Sequence, residues 1–309
     1  MSVPSHRPYV WMLCGCVSFA FMSALAHEVS QYCNWQTVAF FRSFLVLVIV
    51  GAVCVVQKTP FVVWRPARLW HRSLAGSFSL VTAFFALAKL KASTVTTLTN
   101  TFPIWVALLS WPMLGLFPSW RAWLAVLGGV VGVILIQQPQ AGDSDLAFGL
   151  ALASAVSTSV AMLGLHRLKG VNPNAVVVHF SGVATLASAV AMLCFENRPD
   201  AVPFYTPKPL ALLLAVGLFA SIGQMFLTRA FAAGDPAKVS VVGLSQVVFT
   251  LLIDVAFVGH ELTRWVLLGT FLILAPTAWV MLERKKPVVV SEPVTEEAEE
   301  AGEVVRPAT

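Results

Sequence analysis

Ten apolar stretches, each of roughly 20 residues, restrict what this chain can fold into more than any other feature of the sequence. Only helices and closed barrels satisfy their backbone hydrogen bonds in hydrocarbon, and stretches of this length match helices. We therefore expect an all-α membrane protein with ten transmembrane helices. The predicted spans are about residues 8–26, 35–56, 73–90, 94–116, 120–138, 146–166, 174–195, 209–229, 238–258 and 265–282.

The composition excludes a soluble protein. Hydrophobic residues make up 58% of the chain and charged residues only 11%, whereas soluble domains carry about 25% charged residues. The net charge of +5 is spread over short linkers, so it predicts no nucleic-acid partner. The five cysteines show neither a disulfide framework nor metal-ligand spacing, and no cofactor is expected. The predicted partners are the lipid bilayer and a small-molecule solute.

The distribution of basic residues predicts the orientation. Both termini are expected in the cytoplasm, because this places most of the 20 basic residues inside, including the dense cluster at 58–72. The first stretch also resembles a signal peptide with a cleavage site at 24–26, but the repeat described below favours its retention. Residues 284–309 are first basic and then acidic, which is typical of a disordered cytoplasmic tail. The short loops suggest a bacterial inner membrane.

The two halves of the chain resemble each other at a shift of 144 residues. "FFALAKLKASTVTTLTNTFPIWVALLSWPMLG" (84–115) aligns with "TRAFAAGDPAKVSVVGLSQVVFTLLIDVAFVG" (228–259). Coincidence between Ala/Leu/Val-rich segments is the alternative, but the layout of spans and turns is shared as well. This predicts two five-helix units, residues 9–139 and 146–283. An odd number of spans per unit makes the repeat inverted, with a pseudo-twofold axis in the membrane plane.

These segments, together with "FFRS" (40–43), resemble the EamA-type members of the drug/metabolite transporter superfamily. The resemblance covers about residues 9–283 and implies a carrier that moves a small organic solute by alternating access. Solutes of the superfamily include amino acids, drugs, purines, vitamins and nucleotide-like cofactors. One departure is Phe117, which stands where the second repeat has the family-like Glu261. A phosphate-binding Lys/Arg pair late in the chain is also missing, which argues against a phosphorylated sugar.

Two ionisable residues lie well inside predicted spans and are candidates for coupling or gating. These are Arg42 and Asp254, and an ionisable group in hydrocarbon suggests a function by default. Their similar predicted depth also permits an ion pair between them, and Arg42 can instead reach the headgroups with its long side chain. The sequence leaves these alternatives open.

Four uncharged residues are candidates for solute binding. Asn100 and Gln246 lie in equivalent stretches of the two repeats, which inverted symmetry brings together near the midplane. Gln224 offers another amide, and Trp105 can stack on a planar solute. Hydrogen bonding between helices is the alternative role for each amide.

No enzyme motif occurs in the chain. The sequence lacks a Walker A loop, H-E-x-x-H and G-x-S-x-G, so we expect no catalysis. A secondary transporter is the main hypothesis, and a sensor or adaptor that acts through its cytoplasmic tail is the alternative. The solute, the direction of transport, the coupling ion and the choice between monomer and homodimer stay open.

Overall fold

A computed structural model describes residues 6–64, 66–139, 144–195, 203–257 and 263–282. These residues form twelve helices. In chain order they are α1 (Arg7–Val29), α2 (Trp35–Val56), α3 (Ala67–Lys89), α4 (Ala92–Thr99), α5 (Phe102–Leu114), α6 (Trp120–Gln137), α7 (Asp145–His166), α8 (Pro173–Cys194), α9 (Pro207–Ala233), α10 (Pro236–Gly243), α11 (Ser245–Phe257) and α12 (Arg264–Leu282).

Local sequence explains where several helices begin and end. The side chains of Ser119, Ser144 and Asp235 accept hydrogen bonds from backbone N–H groups in the first turns of α6, α7 and α10. Helix α5 ends at Leu114, and the next residue, Gly115, has a φ of 69°, which glycine adopts at no steric cost. The fourth predicted span is broken at residues 100–101, and Pro103 lies just after the break, in the first turn of α5.

Eight segments are long and apolar enough to cross a membrane. They are α1, α2, α6, α7, α8, α9, the α10–α11 pair and α12. Helix α3 and the α4–α5 pair, which correspond to the third and fourth predicted spans, do not meet these criteria. The predicted number of ten spans therefore stays a prediction for these two segments.

The packing of the two halves is reciprocal. Helix α1 packs against α9, and its counterpart α7 packs against α3 in the same way; α2 pairs with α8, and α6 pairs with α12. Helices α4 and α10 have eight residues each and begin 144 residues apart. Reciprocal contacts between equivalent elements indicate a twofold relation. The predicted fold class, an all-α membrane protein with two inverted repeats, is confirmed.

Individual contacts show the same relation. Gln36 at the start of α2 donates to the backbone oxygen of Phe195 (3.4 Å), and Asn174 at the start of α8 donates to the side chain of Gln57 (3.1 Å). Asn174 lies 138 positions after Gln36, and Phe195 lies 138 positions after Gln57, so the two hydrogen bonds join equivalent positions of the two repeats. Helices α2 and α8 are therefore antiparallel, with one amide fastening the pair at each end.

The two faces of the bundle are packed differently. We call the end that holds the start of α1 the N-terminal face and the other end the opposite face. At the N-terminal face, α10 packs against α5 and α6, and its start adjoins Pro8. The equivalent helix α4, at the opposite face, does not pack in this way against α11 and α12. The bundle is therefore packed more tightly around α10 at the N-terminal face than around α4 at the opposite face.

Some predictions fall outside the described residues. These are the tail at 284–309 and the family-like Glu261. The unit boundaries at 9–139 and 146–283 remain predictions.

Candidate functional site

Two broken helices meet in the interior of the bundle. Helix α4 ends before Asn100 and α5 begins at Phe102, while α10 ends at Gly243 and α11 begins at Ser245. A Cβ atom added to Gly243 would lie 3.5 Å from the Phe102 ring, so the two breaks adjoin. Broken helices expose backbone carbonyl and N–H groups that a bound solute can use.

The thiol of Cys16 on α1 contacts the second break. Its Sγ lies 3.6 Å from the oxygen of Val242 and 3.4 Å from that of Gly243, and the backbone N–H of Gln246 bonds to it. The cysteine therefore supplies a polar partner to both sides of the break. Its position in an apolar run gave no sign of this role, because the pattern predicts only a core residue.

Gln224 and Gln246 lie beside the same stretch of α1. The N–H of Gln246 bonds to Cys16, and Phe19 packs so closely on Gly223 that a Cβ there would lie 2.8 Å from its ring. Gln224 is only 5% exposed, and its side-chain amide has no hydrogen-bond partner within the described ranges. The side chain of Gln246 likewise bonds to none of the described residues. Two unpaired amides thus flank one face of α1.

Asn100 and Trp105 flank the first break. The Asn100 amide donates to the backbone oxygen of Thr96 (2.8 Å), one turn back in its own helix. Trp105 is half-buried in α5, and its indole forms neither a ring pair nor a hydrogen bond with the residues described. The Asn100 side chain thus has a hydrogen bond from its nitrogen, and the Trp105 ring stacks on no other ring among the described residues.

Arg42 and Asp254 do not form the ion pair that their predicted depth permits. The Nε of Arg42 points at the sulfur of Met22 on α1 (3.3 Å), and no contact joins it to Asp254. Asp254 is half-buried on α11. Met22, Phe19 and Cys16 follow each other three positions apart on α1, so one face of this helix connects Arg42 with the two glutamines.

Sequence reasoning missed Arg72, which it assigned to the loop cluster at 58–72. Helix α3 begins at Ala67, six residues before the predicted span, and this places Arg72 in its second turn with 1% of its surface exposed. The guanidinium lies 3.9 Å from the centre of the Phe180 ring. The small residues Gly76 and Gly164 around it were the available signal, because they leave room for a long side chain.

His179, next to Phe180, is a structural residue. Its Nε2 lies 3.1 Å from the oxygen of Val63 and its Nδ1 lies 2.8 Å from the hydroxyl of Ser73. A carbonyl only accepts hydrogen bonds, so Nε2 carries the proton and Nδ1 of the neutral ring accepts from Ser73. The ring also meets Trp70 edge-on, with 4.7 Å between the ring centres. These contacts hold the α2–α3 linker against α8.

An open cavity of about 560 Å³ lies at the N-terminal face, away from the breaks. It is lined by Trp11, Lys169, Pro173, Arg229, Ala232 and Ala233. None of the predicted site residues lines it. The described residues hold no group of three or more His, Cys, Asp or Glu side chains with metal-binding geometry.

The fold and the breaks define a class of protein: a multi-pass membrane protein of two inverted repeats, with polar groups and broken helices in its interior. The EamA-like transporter family model matches residues 6–138 and again residues 146–282. The chain therefore belongs to the EamA-like transporter family, and the predicted resemblance is confirmed.

Curated relatives are named as transporters. The chain is 30% identical to the pseudopaline exporter of Pseudomonas aeruginosa over 242 residues, which cover 75% of this chain and 81% of the relative. It is 23% identical to the S-adenosylmethionine uptake transporter of Rickettsia conorii over 281 residues, or 89% and 92% of the two chains. It is also 29% identical over 160 residues to the riboflavin transporter of Rhizobium johnstonii, covering 52% of this chain and 51% of the relative.

A solved structure, described only as a crystal structure of a protein, has the same fold. It superimposes with a TM-score of 0.78 and 17% sequence identity, covering 89% of this chain and 97% of the other. At this identity the likeness establishes the fold alone.

Proposed function

We propose that this protein is a secondary carrier that moves a small organic metabolite across the inner membrane by alternating access. The observation that carries the proposal is the meeting of two broken helices, at α4–α5 and α10–α11, in a bundle whose two faces are packed differently. A central site that opens to one side at a time needs such a difference between the faces. The inverted repeat supplies a second state, in which the two halves exchange conformations.

The proposed solute site lies at the two breaks. Gln224 and Gln246 offer unpaired amides, Trp105 offers a ring for stacking, and Asn100 adds a carbonyl oxygen at the first break. Amides that bond to none of the described residues can bond to a solute without breaking an existing contact. Arg42 and Asp254 are the proposed coupling or gating residues.

The relatives support transport of small metabolites but not one particular solute. Their names cover an exporter and an uptake transporter, so they leave the direction open as well. Basic residues concentrate near the N-terminal face, which supports a cytoplasmic location for both termini.

The test compares the metabolites of bacteria with and without the gene, followed by flux into proteoliposomes that contain the purified protein. We expect at least one small organic solute to change in the cells and to cross the reconstituted membrane. A variant with Gln224→Leu and Gln246→Leu serves as the control and should show reduced flux. If no solute pool moves and the C-terminal tail instead captures a cytoplasmic protein, the protein is an adaptor rather than a carrier.

A further inference from the structure

Arg72 is a buried cation to which none of the described residues supplies an anion. Its Nε and Nη1 atoms are sealed from solvent and hydrogen-bond to none of the described residues. The side chain packs against the Phe180 ring on α8, the backbone of Gly76 on its own helix, and Gly164 on α7. A cation over an aromatic ring is attracted to it, but the ring accepts no conventional hydrogen bond from the Nε and Nη1 donors.

The guanidinium lies deep in the bundle rather than at its edge. The two amide contacts at the ends of the α2–α8 pair place the middle of that pair near Val46 and Ala184. Phe180 is four residues from Ala184, which is about 6 Å at the rise of an α-helix. The guanidinium therefore lies within the hydrocarbon, about 6 Å from the middle of the pair, where an unpaired charge is costly.

The neighbouring helices add more unpaired donors and a second positive charge. The hydroxyls of Ser43 on α2, Ser77 on α3 and Ser181 on α8 are buried and, like Arg72, lack partners within the described part of the chain. These three helices pack against one another. Arg42 on α2 is close enough for its charge to repel that of Arg72.

The described carboxylates do not balance this charge. Glu28 forms an ion pair with Lys208 at the opposite face (3.1 Å), and Asp235 caps α10 at the N-terminal face. Asp145 begins α7 at the opposite face, and Asp254 lies on α11, a helix that does not pack against α3. An unpaired buried charge destabilises a protein strongly, so its retention calls for a partner in another state of the protein.

We propose that Arg72 binds the carboxylate of the transported solute, with Arg42 contributing to the positive potential, so that the solute is an anion or a zwitterion. This inference rests on the proposed carrier function. The planar fork of a guanidinium matches the two oxygens of a carboxylate, and serine hydroxyls can donate to the same group. An inorganic phosphate ion could satisfy the same donors, and the experiment separates the two.

The site is closed in the conformation described. The His179 contacts with Ser73 and Val63 fasten α8 to α3 and to the linker before it, directly next to Arg72. Separation of α3 from α8 at the N-terminal face would expose the guanidinium to an arriving carboxylate. Arg72 is thus placed to bind the solute in the state that opens towards this face.

The experiment measures thermal unfolding of the purified protein with pairs of compounds that differ mainly in charge. The pairs are succinate and succinamide, benzoate and benzamide, and L-tryptophan and L-tryptophanamide, with inorganic phosphate added separately. We expect at least one carboxylate to raise the unfolding temperature of the wild type while its amide does not. Arg72→Met should abolish this effect, and Arg264→Met should keep it, because Arg264 stacks on Trp265 at the exposed start of α12.

A second readout separates binding from a structural role. In the absence of any compound, Arg72→Met should unfold at the same temperature as the wild type or higher, because a buried unpaired charge is replaced by an apolar chain. Arg72→Lys should keep part of the carboxylate effect, since the charge remains but the fork is lost. A lower unfolding temperature for Arg72→Met together with an intact carboxylate effect would overturn the proposal.

Three further outcomes would contradict either the anion site or the carrier function. A wild type that responds to phosphate but to no carboxylate, or that responds equally to acids and amides, contradicts the proposal. If the protein transports a neutral or cationic solute and Arg72→Met retains this flux, the carrier function is supported and the anion site is contradicted. Carboxylate binding that depends on Arg72 in a protein that transports nothing removes the carrier function instead.

Discussion

At the scale of single residues, the candidate site contains polar side chains that bond to none of the described residues. Several buried hydroxyls bond to a carbonyl of their own helix, as Ser110 does to Val106 (2.6 Å) and Ser221 does to Gly217 (2.7 Å). Gln224, by contrast, is equally well buried and bonds to none of the described residues. Buried polar groups in folded proteins are normally paired, so such an exception needs an explanation.

Replacing Gln224 tests its role directly. Gln224→Leu should leave the unfolding temperature unchanged, because the amide loses no partner, but it should weaken solute binding about tenfold, or ~1.4 kcal/mol. Ser221→Ala, one turn away on the same helix, is the matched control and should not affect binding. Concentration-dependent flux in proteoliposomes gives the affinity, and equal affinities for wild type and Gln224→Leu would exclude the amide from the site.

Asp254 is the residue at which proton coupling can be tested. If it carries the coupling proton, Asp254→Asn should abolish flux driven by a pH gradient while solute exchange at equal pH continues. Asp235→Asn is the control, because asparagine also caps helices and this residue lies at the start of α10. An unchanged pH dependence in Asp254→Asn would assign the residue a structural role.

At the scale of secondary structure elements, two glycines fix the crossing of α6 and α12. A Cβ atom on Gly132 would lie 2.6 Å from the oxygen of Gly269, and one on Gly269 would lie 2.6 Å from the oxygen of Gly132. Ile273 and Ile136 pack over these glycines in the same reciprocal way. The backbones therefore touch, as small residues at helix interfaces in membranes allow.

Gly128, four residues before Gly132 on α6, provides a matched control for these two glycines. Gly132→Leu and Gly269→Leu should each prevent folding of the bundle, because the added atoms would overlap backbone that cannot move aside. Gly128→Ala should change stability by no more than about 1 kcal/mol, since nothing lies within 4 Å of the added atom. Size-exclusion profiles of the detergent-solubilised variants would show the difference; a monodisperse Gly132→Leu protein would contradict the proposed crossing.

At the scale of the whole molecule, the two repeats are related by symmetry but differ in packing. Helix α10 packs against α5 and α6 of the first repeat, whereas α4 lacks the equivalent contacts with α11 and α12. At the opposite face, Lys208 bonds to Tyr32 (2.5 Å) and pairs with Glu28, which ties α9 to the end of α1. This asymmetry is what a carrier needs in each of its end states, because perfect symmetry would close both faces equally.

The orientation of the molecule can be measured with fusions. With both termini in the cytoplasm, a green fluorescent protein fused after the last residue should fluoresce and an alkaline phosphatase there should be inactive. The same two reporters inserted after Phe204, at the opposite face, should give the reverse result. Active phosphatase at the C-terminus would invert the predicted topology.

Much of the fold could be read from the order of residues alone. Apolar runs fix the class, because hydrocarbon accepts only helices of this length. The alignment of 84–115 with 228–259 anticipated the inverted repeat. Arg42, Gln224 and Gln246 were noticed because a polar residue stands out in an apolar run.

Only the tertiary structure decided which of these polar residues have partners. Arg72 lies at the edge of an apolar run, where the sequence does not distinguish a loop residue from a buried one. It is buried in the helix bundle because α3 begins early and because Gly76 and Gly164 leave space for its side chain. Cys16 resembles any core cysteine until the break at Gly243 is brought against it. The physical reason is that the apolar pattern reports only the solvent around a helix, whereas pairing depends on which helices meet, at what depth and with which faces.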